Sequence, residues 1–191
     1  MARLITIAGP QSSGKTTFLN VLKNRYQSWR FIPEAFSFDK KLELKIIKNE
    51  LSLLKSLDDK RTTVIETGIF HLVYSEKICG AKIAQNYFKK YLAVYKKFEP
   101  LIFFIDTKPE VSWRRRQDKY LDRIKSLGIN DEQEIAKRLS KYQKNLYALY
   151  PLWLKYLEKI PYQKIIFRNS YIAEDEFIRE AFLQFQKFLL Q

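Results

Sequence analysis

The sequence predicts an α/β domain built on a parallel β-sheet, on three observations. Short apolar or β-branched runs alternate with amphipathic stretches of helical period along the whole chain. The first run leads directly into Gly9-Pro10-Gln11-Ser12-Ser13-Gly14-Lys15-Thr16, a G-x-x-x-x-G-K-[ST] loop that opens a helix. The run Leu101 to Asp106 is apolar without alternation, as a central strand covered on both faces must be. Strands that alternate with helices imply right-handed crossovers and helices on both faces of the sheet.

Arg3 to Ala8 is the first predicted strand, and Thr16 to Tyr26 a helix with Phe18, Leu19, Leu22 and Tyr26 on one face. Ser28 to Ile32 is aromatic and β-branched and stops at Pro33, which cannot donate to a ladder; Glu34 is thereby left at a strand's carboxyl end. From Asp39 to about Leu57 the spacing of Leu42, Ile46, Leu53 and Leu57, with Leu44, Ile47, Leu51 and Leu54 beside them, predicts an amphipathic helix with a lysine-rich outer face. Arg61 to Glu66 is a third strand that ends in an acid. A long helical stretch runs from Ile69 to Phe98, open to interruption at Gly80. After the fourth strand, Thr107-Lys108-Pro109-Glu110 starts a helix that carries Arg114, Arg115, Arg116 and Arg123. Another helix is expected from Asn130 to Tyr156 with a break at Pro151. Gln163 to Phe167 is a fifth strand, and Glu174 to Leu190 a last helix with Phe177, Ile178, Ala181, Phe182, Phe185, Phe188 and Leu189 facing a core.

At 191 residues and 46% hydrophobic content, the chain suits a single domain spanning 1–191 with one substantial core. No apolar run is long enough for a membrane span, and the first strand starts without room for a signal peptide, so a cytoplasmic protein without membrane contact is expected. The lone Cys79 cannot form an internal disulfide and is read as a small core residue. His71, the only histidine, is expected to be packed or solvated and makes no metal site. A net charge of +14 suits either a field that draws in nucleotides and nucleic acid or a generally lysine-rich surface. The lysines are spread along the chain, which favours the surface.

The loop from Gly9 to Thr16, with Thr17 beside it, carries the clearest chemistry. Its successive N–H groups and the positive end of the following helix form an anion site, Lys15 reaches the β and γ phosphates, and the Thr16 hydroxyl holds Mg²⁺. The span Phe104-Ile-Asp-Thr-Lys-Pro-Glu-Val-Ser-Trp-Arg-Arg-Arg-Gln-Asp-Lys-Tyr-Leu-Asp-Arg-Ile-Lys125 resembles the thymidylate kinase and deoxynucleoside kinase family in its strand, Pro-Glu helix start, arginine-rich lid and Asp-Arg pair. The resemblance extends over nearly the whole chain in element order, with motif matches in the loop and the lid. It implies a three-layer P-loop NTPase fold, a five-stranded sheet of order 2-3-1-4-5, and a lid at about 113–130.

For the carboxylate linked to the metal, the strand Leu-Ile-Phe-Phe-Ile-Asp points to Asp106, whereas the family places the acid at the end of the third strand, here Glu66, which is preferred. The resemblance further implies Arg116 and Arg123 on the transferring phosphoryl, Glu34 as base toward an acceptor hydroxyl, an acceptor base against Phe70, Tyr74, Tyr87 or Tyr91, and a dimer face on the Ile69 to Phe98 stretch. The chain departs from the family in two places: Glu66-Thr67-Gly68 lacks the arginine that follows the acid, and Ile32-Pro33-Glu34-Ala35 replaces Arg-Glu-Pro-Gly. The function expected is transfer of the ATP γ-phosphoryl to a nucleoside monophosphate or nucleoside. The alternatives are a nucleotide-binding regulatory protein and a polynucleotide 5′-hydroxyl kinase.

Overall fold

A computed structural model describes residues 3–57, 60–98, 100–170 and 173–190. Thirteen elements follow in order: β1 (Leu4–Ala8), α1 (Lys15–Arg25), β2 (Arg30–Ile32), α2 (Lys40–Lys55), β3 (Thr63–Glu66), a 3₁₀ turn (Gly68–His71), α3 (Leu72–Cys79), α4 (Ala81–Tyr95), β4 (Leu101–Asp106), α5 (Pro109–Ser126), α6 (Glu132–Lys159), β5 (Lys164–Arg168) and α7 (Glu174–Leu189). The five strands pair in parallel in the order β2-β3-β1-β4-β5, as the resemblance implied. Every strand therefore points its carboxyl end to the same edge, and the candidate site residues follow those ends.

The central strands divide their side chains between two cores by simple alternation. Ile5 and Ile7 of β1, with Leu101, Phe103 and Ile105 of β4, pack against Phe18 and Leu22 of α1 and Phe177, Phe185 and Phe188 of α7. Leu4 and Ala8, with Ile102 and Phe104, face the other core, formed with α2, α3, α4 and α6 around the fully buried Trp153. Burying both faces explains why β4 has no polar residue before Asp106. No helix among the described residues is long and apolar enough to cross a membrane.

Two expectations are corrected. The stretch from Asn130 does not break at Pro151: α6 runs through it to Lys159. Proline removes one helical hydrogen bond, but Leu149, Trp153, Tyr156 and Leu157 on either side are held in the core, and that burial outweighs a cost of ~3 kcal/mol. The buried face of α2 is also not the Leu42/Leu53 face, since these are 50% and 40% exposed; Ile47, Leu51 and Leu54 are inward, and so is Glu43. An acid on the inner face was unreadable from hydrophobic period alone. The interruption that the sequence left open at Gly80 is present: with φ +95°, Gly80 separates α3 from α4.

Candidate active site

The loop between β1 and α1 requires its glycines. At Gly9 a Cβ would sit on the Ile105 carbonyl, and at Gly14, with φ +95°, it would lie 2.7 Å from the Phe177 ring. Ser12 also takes a positive φ of 62°. Lys15 Nζ donates to the carbonyls of Gly9 (2.8 Å) and Pro10 (3.2 Å), which fixes the ammonium inside the loop. The hydroxyls of Ser12 and Ser13 are buried and find no hydrogen-bond partner among the described residues. Unpartnered buried donors beside a helix amino terminus are what an anion would satisfy.

Each of the other strands adds a group at the same edge. After β5, Asn169 donates through Nδ2 to the Ser13 carbonyl at 2.7 Å. Arg115 of α5 donates to Asn169 Oδ1 at 3.0 Å and to the Ser12 carbonyl at 3.4 Å, so the lid helix is tied to the loop. At the end of β3, Glu66 Oε1 accepts the Thr16 hydroxyl at 3.0 Å, and Oε2 accepts the backbone N–H of Glu34 at 3.3 Å. After β2, Glu34 Oε2 lies 4.0 Å from Lys15 Nζ, while Oε1 is buried without a partner among the described residues. At the end of β4, Asp106 instead accepts the Tyr150 hydroxyl at 2.8 Å. Of the two competing acids, Glu66 is the one beside the loop. The Thr16 hydroxyl and Glu66 carboxylate form a hard-oxygen pair of the kind Mg²⁺ takes when phosphates and water complete its shell.

These groups border an open cavity of about 980 Å³. Of the residues expected from the sequence, Gln11 to Thr17, Glu34, Arg116 and Arg123 line it; Gly9, Pro10 and Glu66 stand behind, gripping Lys15 and Thr16. The lining also includes Arg115 of the expected arginine-rich helix, and residues not expected from the sequence: Lys77 of α3, Lys119 of α5, Lys141 and Asn145 of α6, and Phe36 and Phe38. Lys119 had a signal, because Arg116, Lys119 and Arg123 share one helical face at i, i+3 and i+7. Asn169 had none, since its role depends on strand pairing. Among the expected base contacts only Tyr74 lines the cavity. Phe70 is instead fully buried, stacked 5.8 Å from Trp153; Tyr91 is fully buried and donates to Glu50 at 2.6 Å; Tyr87 joins the same core. Helical spacing of aromatics here marks packing. Burial first, and then the Glu34 carboxylate, hold the Tyr74 phenol well above its ordinary pKa, so it stays protonated beside Glu34.

The departure at Glu66-Thr67-Gly68 has a structural form. Thr67 takes φ 69° and ψ −51°, a strained setting for a β-branched residue, and its N–H donates to the Ile7 carbonyl at 2.9 Å. At Gly68, with φ +51°, a Cβ would strike the Tyr95 hydroxyl. Both residues are buried and neither lines the cavity.

Behind Tyr74 lies a buried ionic group. His71 Nε2 is 2.8 Å from Glu43 Oε1 and Nδ1 is 3.8 Å from Glu50 Oε2, with all three groups largely removed from water. Burial opposes the imidazolium, but hydrogen bonds and charge from Glu43 and Glu50 outweigh it and push the His71 pKa up to about 9. Glu43 also accepts from Ser75 Oγ at 2.9 Å and from the Ser37 N–H at 2.9 Å. The segment bearing Glu34, Phe36 and Phe38 is thus tied through Glu43 to Ser75 of α3 and to His71 of the 3₁₀ turn.

No protein-family model and no curated protein sequence matches the chain. Solved structures do. The YorR protein from Bacillus subtilis, in complex with phosphorylated GDP, superposes with a TM-score of 0.64 at 14% identity, covering 98% of each chain. Thymidylate kinase from Ehrlichia chaffeensis gives a TM-score of 0.58 at 17% identity, over 100% of this chain and 99% of that one.

Proposed function

Starting from a thymidylate-kinase-like P-loop fold, we propose that the protein is an ATP-dependent phosphotransferase with a nucleoside or nucleotide acceptor. The observation that carries this reading is the placement of the Glu34 carboxylate, 4.0 Å from the loop lysine and on the same cavity. A site that only bound a triphosphate would not require a half-buried carboxylate aimed there from another strand.

In this reading Lys15 and the loop amides hold the donor's β and γ phosphates, and the buried Ser12 and Ser13 hydroxyls add donors to them. Thr16 and Glu66 would hold Mg²⁺, which when bound neutralises charge on the donor phosphates. Arg115 keeps the lid helix against the loop, and the Arg116 and Arg123 side chains on the cavity wall offset negative charge on the phosphoryl in transfer. Glu34 orients the acceptor and takes its proton. Little covalent work is asked of the protein, because phosphoryl transfer depends on alignment and charge.

The test is to incubate the purified chain with Mg²⁺ and γ-labelled ATP against nucleosides and nucleoside monophosphates, and to follow the label. Label in an acceptor is expected. Label found only as inorganic phosphate with every acceptor would support a nucleotide-binding switch instead.

A further inference from the structure

The cavity carries two features that a small acceptor does not require together. The first is Glu34. A phosphate acceptor attacks through an oxygen already ionised at neutral pH, has no proton to give up, and would be repelled by a carboxylate beside the loop. A hydroxyl acceptor needs such a group. The second is the remaining wall. Lys77, Arg116, Lys119, Arg123 and Lys141 border the same cavity from three helices, against only Glu34 and Glu174 among its acids. None of the five makes an ion pair among the described residues; Lys77 is held at 2.8 Å from the neutral Asn145 Oδ1. Arg116 and Arg123 meet the phosphoryl in transfer, but a hydroxyl-bearing nucleoside has no charge for Lys77, Lys119 and Lys141 to meet.

The rim next to Glu34 adds a third feature. Phe36 stacks on Tyr74 with ring centroids 5.0 Å apart at 17°, and Phe38 stands edge-on to Phe36 at 5.5 Å and 88°. The two rings are 38% and 75% exposed, although they lie two and four residues from the acid in a segment fixed to α3 by Ser37 and Glu43. Exposed aromatic faces beside a row of cations are how proteins hold single-stranded nucleic acid: bases stack and the backbone follows the positive groove.

Resting on the phosphotransferase reading, we infer that the acceptor is the 5′-hydroxyl end of a single-stranded polynucleotide. Its terminal hydroxyl meets Glu34, its first base lies on the Phe36–Phe38 corner, and its following phosphates run along Lys77, Lys119 and Lys141. In the step, the 5′-hydroxyl proton passes to the Glu34 carboxylate as the O5′–Pγ bond forms. The bond from Pγ to the β,γ-bridging oxygen breaks, and ADP leaves with its electron pair. The products are a 5′-phosphorylated strand and ADP, and Glu34 later releases its proton to solvent.

The experiment compares thymidine, dTMP, thymidine 3′-monophosphate, 5′-hydroxyl oligothymidylates of two, four and eight nucleotides, and an eight-nucleotide oligouridylate, each with Mg²⁺ and γ-labelled ATP. The kcat/KM is expected to rise at least ~10-fold from thymidine to the 3′-monophosphate and again to the eight-mer, as phosphate contacts accumulate. Three phosphate contacts on a single strand give a salt slope of about −2, so going from about 50 to 200 mM salt lowers oligonucleotide kcat/KM roughly 20-fold and leaves thymidine unchanged. Lys119→Ala and Lys141→Ala each flatten that slope by about 0.7, and Phe38→Ala lowers oligonucleotide kcat/KM roughly 5- to 100-fold. Lys89→Ala, on the exposed face of α4, serves as the unchanged control. Transfer confined to thymidine or dTMP, or an eight-mer no better than thymidine, overturns this inference alone. Transfer to none of the acceptors overturns the phosphotransferase reading with it. The uridylate arm separates RNA from DNA.

Discussion

Raising the pH through 9 should destabilise this protein by way of His71. The histidine is buried between Glu43 and Glu50, and its pKa moves from 6.5 to about 9 on folding. A group whose folded pKa is raised contributes its full stability below the unfolded value and loses it as the pH climbs through the folded one. With these two values, linkage gives a contribution of about 2–3 kcal/mol at pH 7, about 1 at pH 8, and close to zero by pH 10. Because lysines and tyrosines also titrate in that range, the quantity to measure is the difference between the wild type and His71→Gln, from urea unfolding at each pH. The difference should be large at pH 7 and shrink by about 2 kcal/mol at pH 10. A difference constant across the range, or an imidazole seen by NMR to titrate near its ordinary value, would refute the charged pair. The NMR titration decides the matter even if the variant folds poorly. Since Glu43 also holds the Ser37 N–H, the acceptor-side segment should loosen over the same interval.

Three further outcomes follow from the site. Glu66→Gln should lower transfer about 10- to 100-fold through weaker Mg²⁺ binding, as loss of a metal-side group does, whereas Asp106→Asn, which changes a partner of Tyr150, should alter it less than ~3-fold; steady-state kinetics over a Mg²⁺ series check both. Glu34→Gln should reduce kcat by about 10²- to 10⁴-fold with the ATP Kd nearly unchanged, measured by single turnover and titration calorimetry. Gly14→Ala should cost about 1–3 kcal/mol in urea unfolding, because φ is +95° and the new methyl meets the Phe177 ring.

Much of the fold could be read from the chain because two local rules carry it. Strand burial on both faces shows as the unbroken Leu101–Ile105 run, and the loop motif needs only local backbone to form. The positions of Glu34 and Glu66 were legible for a related reason: Glu34 follows a strand, Glu66 ends one, and parallel strands end at one edge. The rest depended on long-range contacts. Glu43 was missed as a buried residue because its partner, His71, is 28 positions away by the numbering and on another element. Asn169 reaches Ser13 across 156 positions, and nothing local marks it. Pro151 misled in the opposite direction, since a local rule for breaking helices lost to the core around Trp153. Phe70, Tyr87 and Tyr91 show the same limit. An aromatic at helical spacing has a fixed face, but whether that face meets a ligand or Trp153 is decided by α6.

The central claim is that the Gly9–Thr16 loop presents a triphosphate for transfer and does not merely bind it. It is tested most directly by a rapid-quench single turnover with γ-labelled ATP, Mg²⁺ and the best acceptor found, in wild type and Lys15→Ala, with circular dichroism on both. The account predicts matching spectra, label moving to the acceptor in the wild type, and transfer lowered by at least ~10²- to 10³-fold in the variant, since a buried ammonium at the phosphates is lost. Unchanged transfer in a folded Lys15→Ala protein would contradict it.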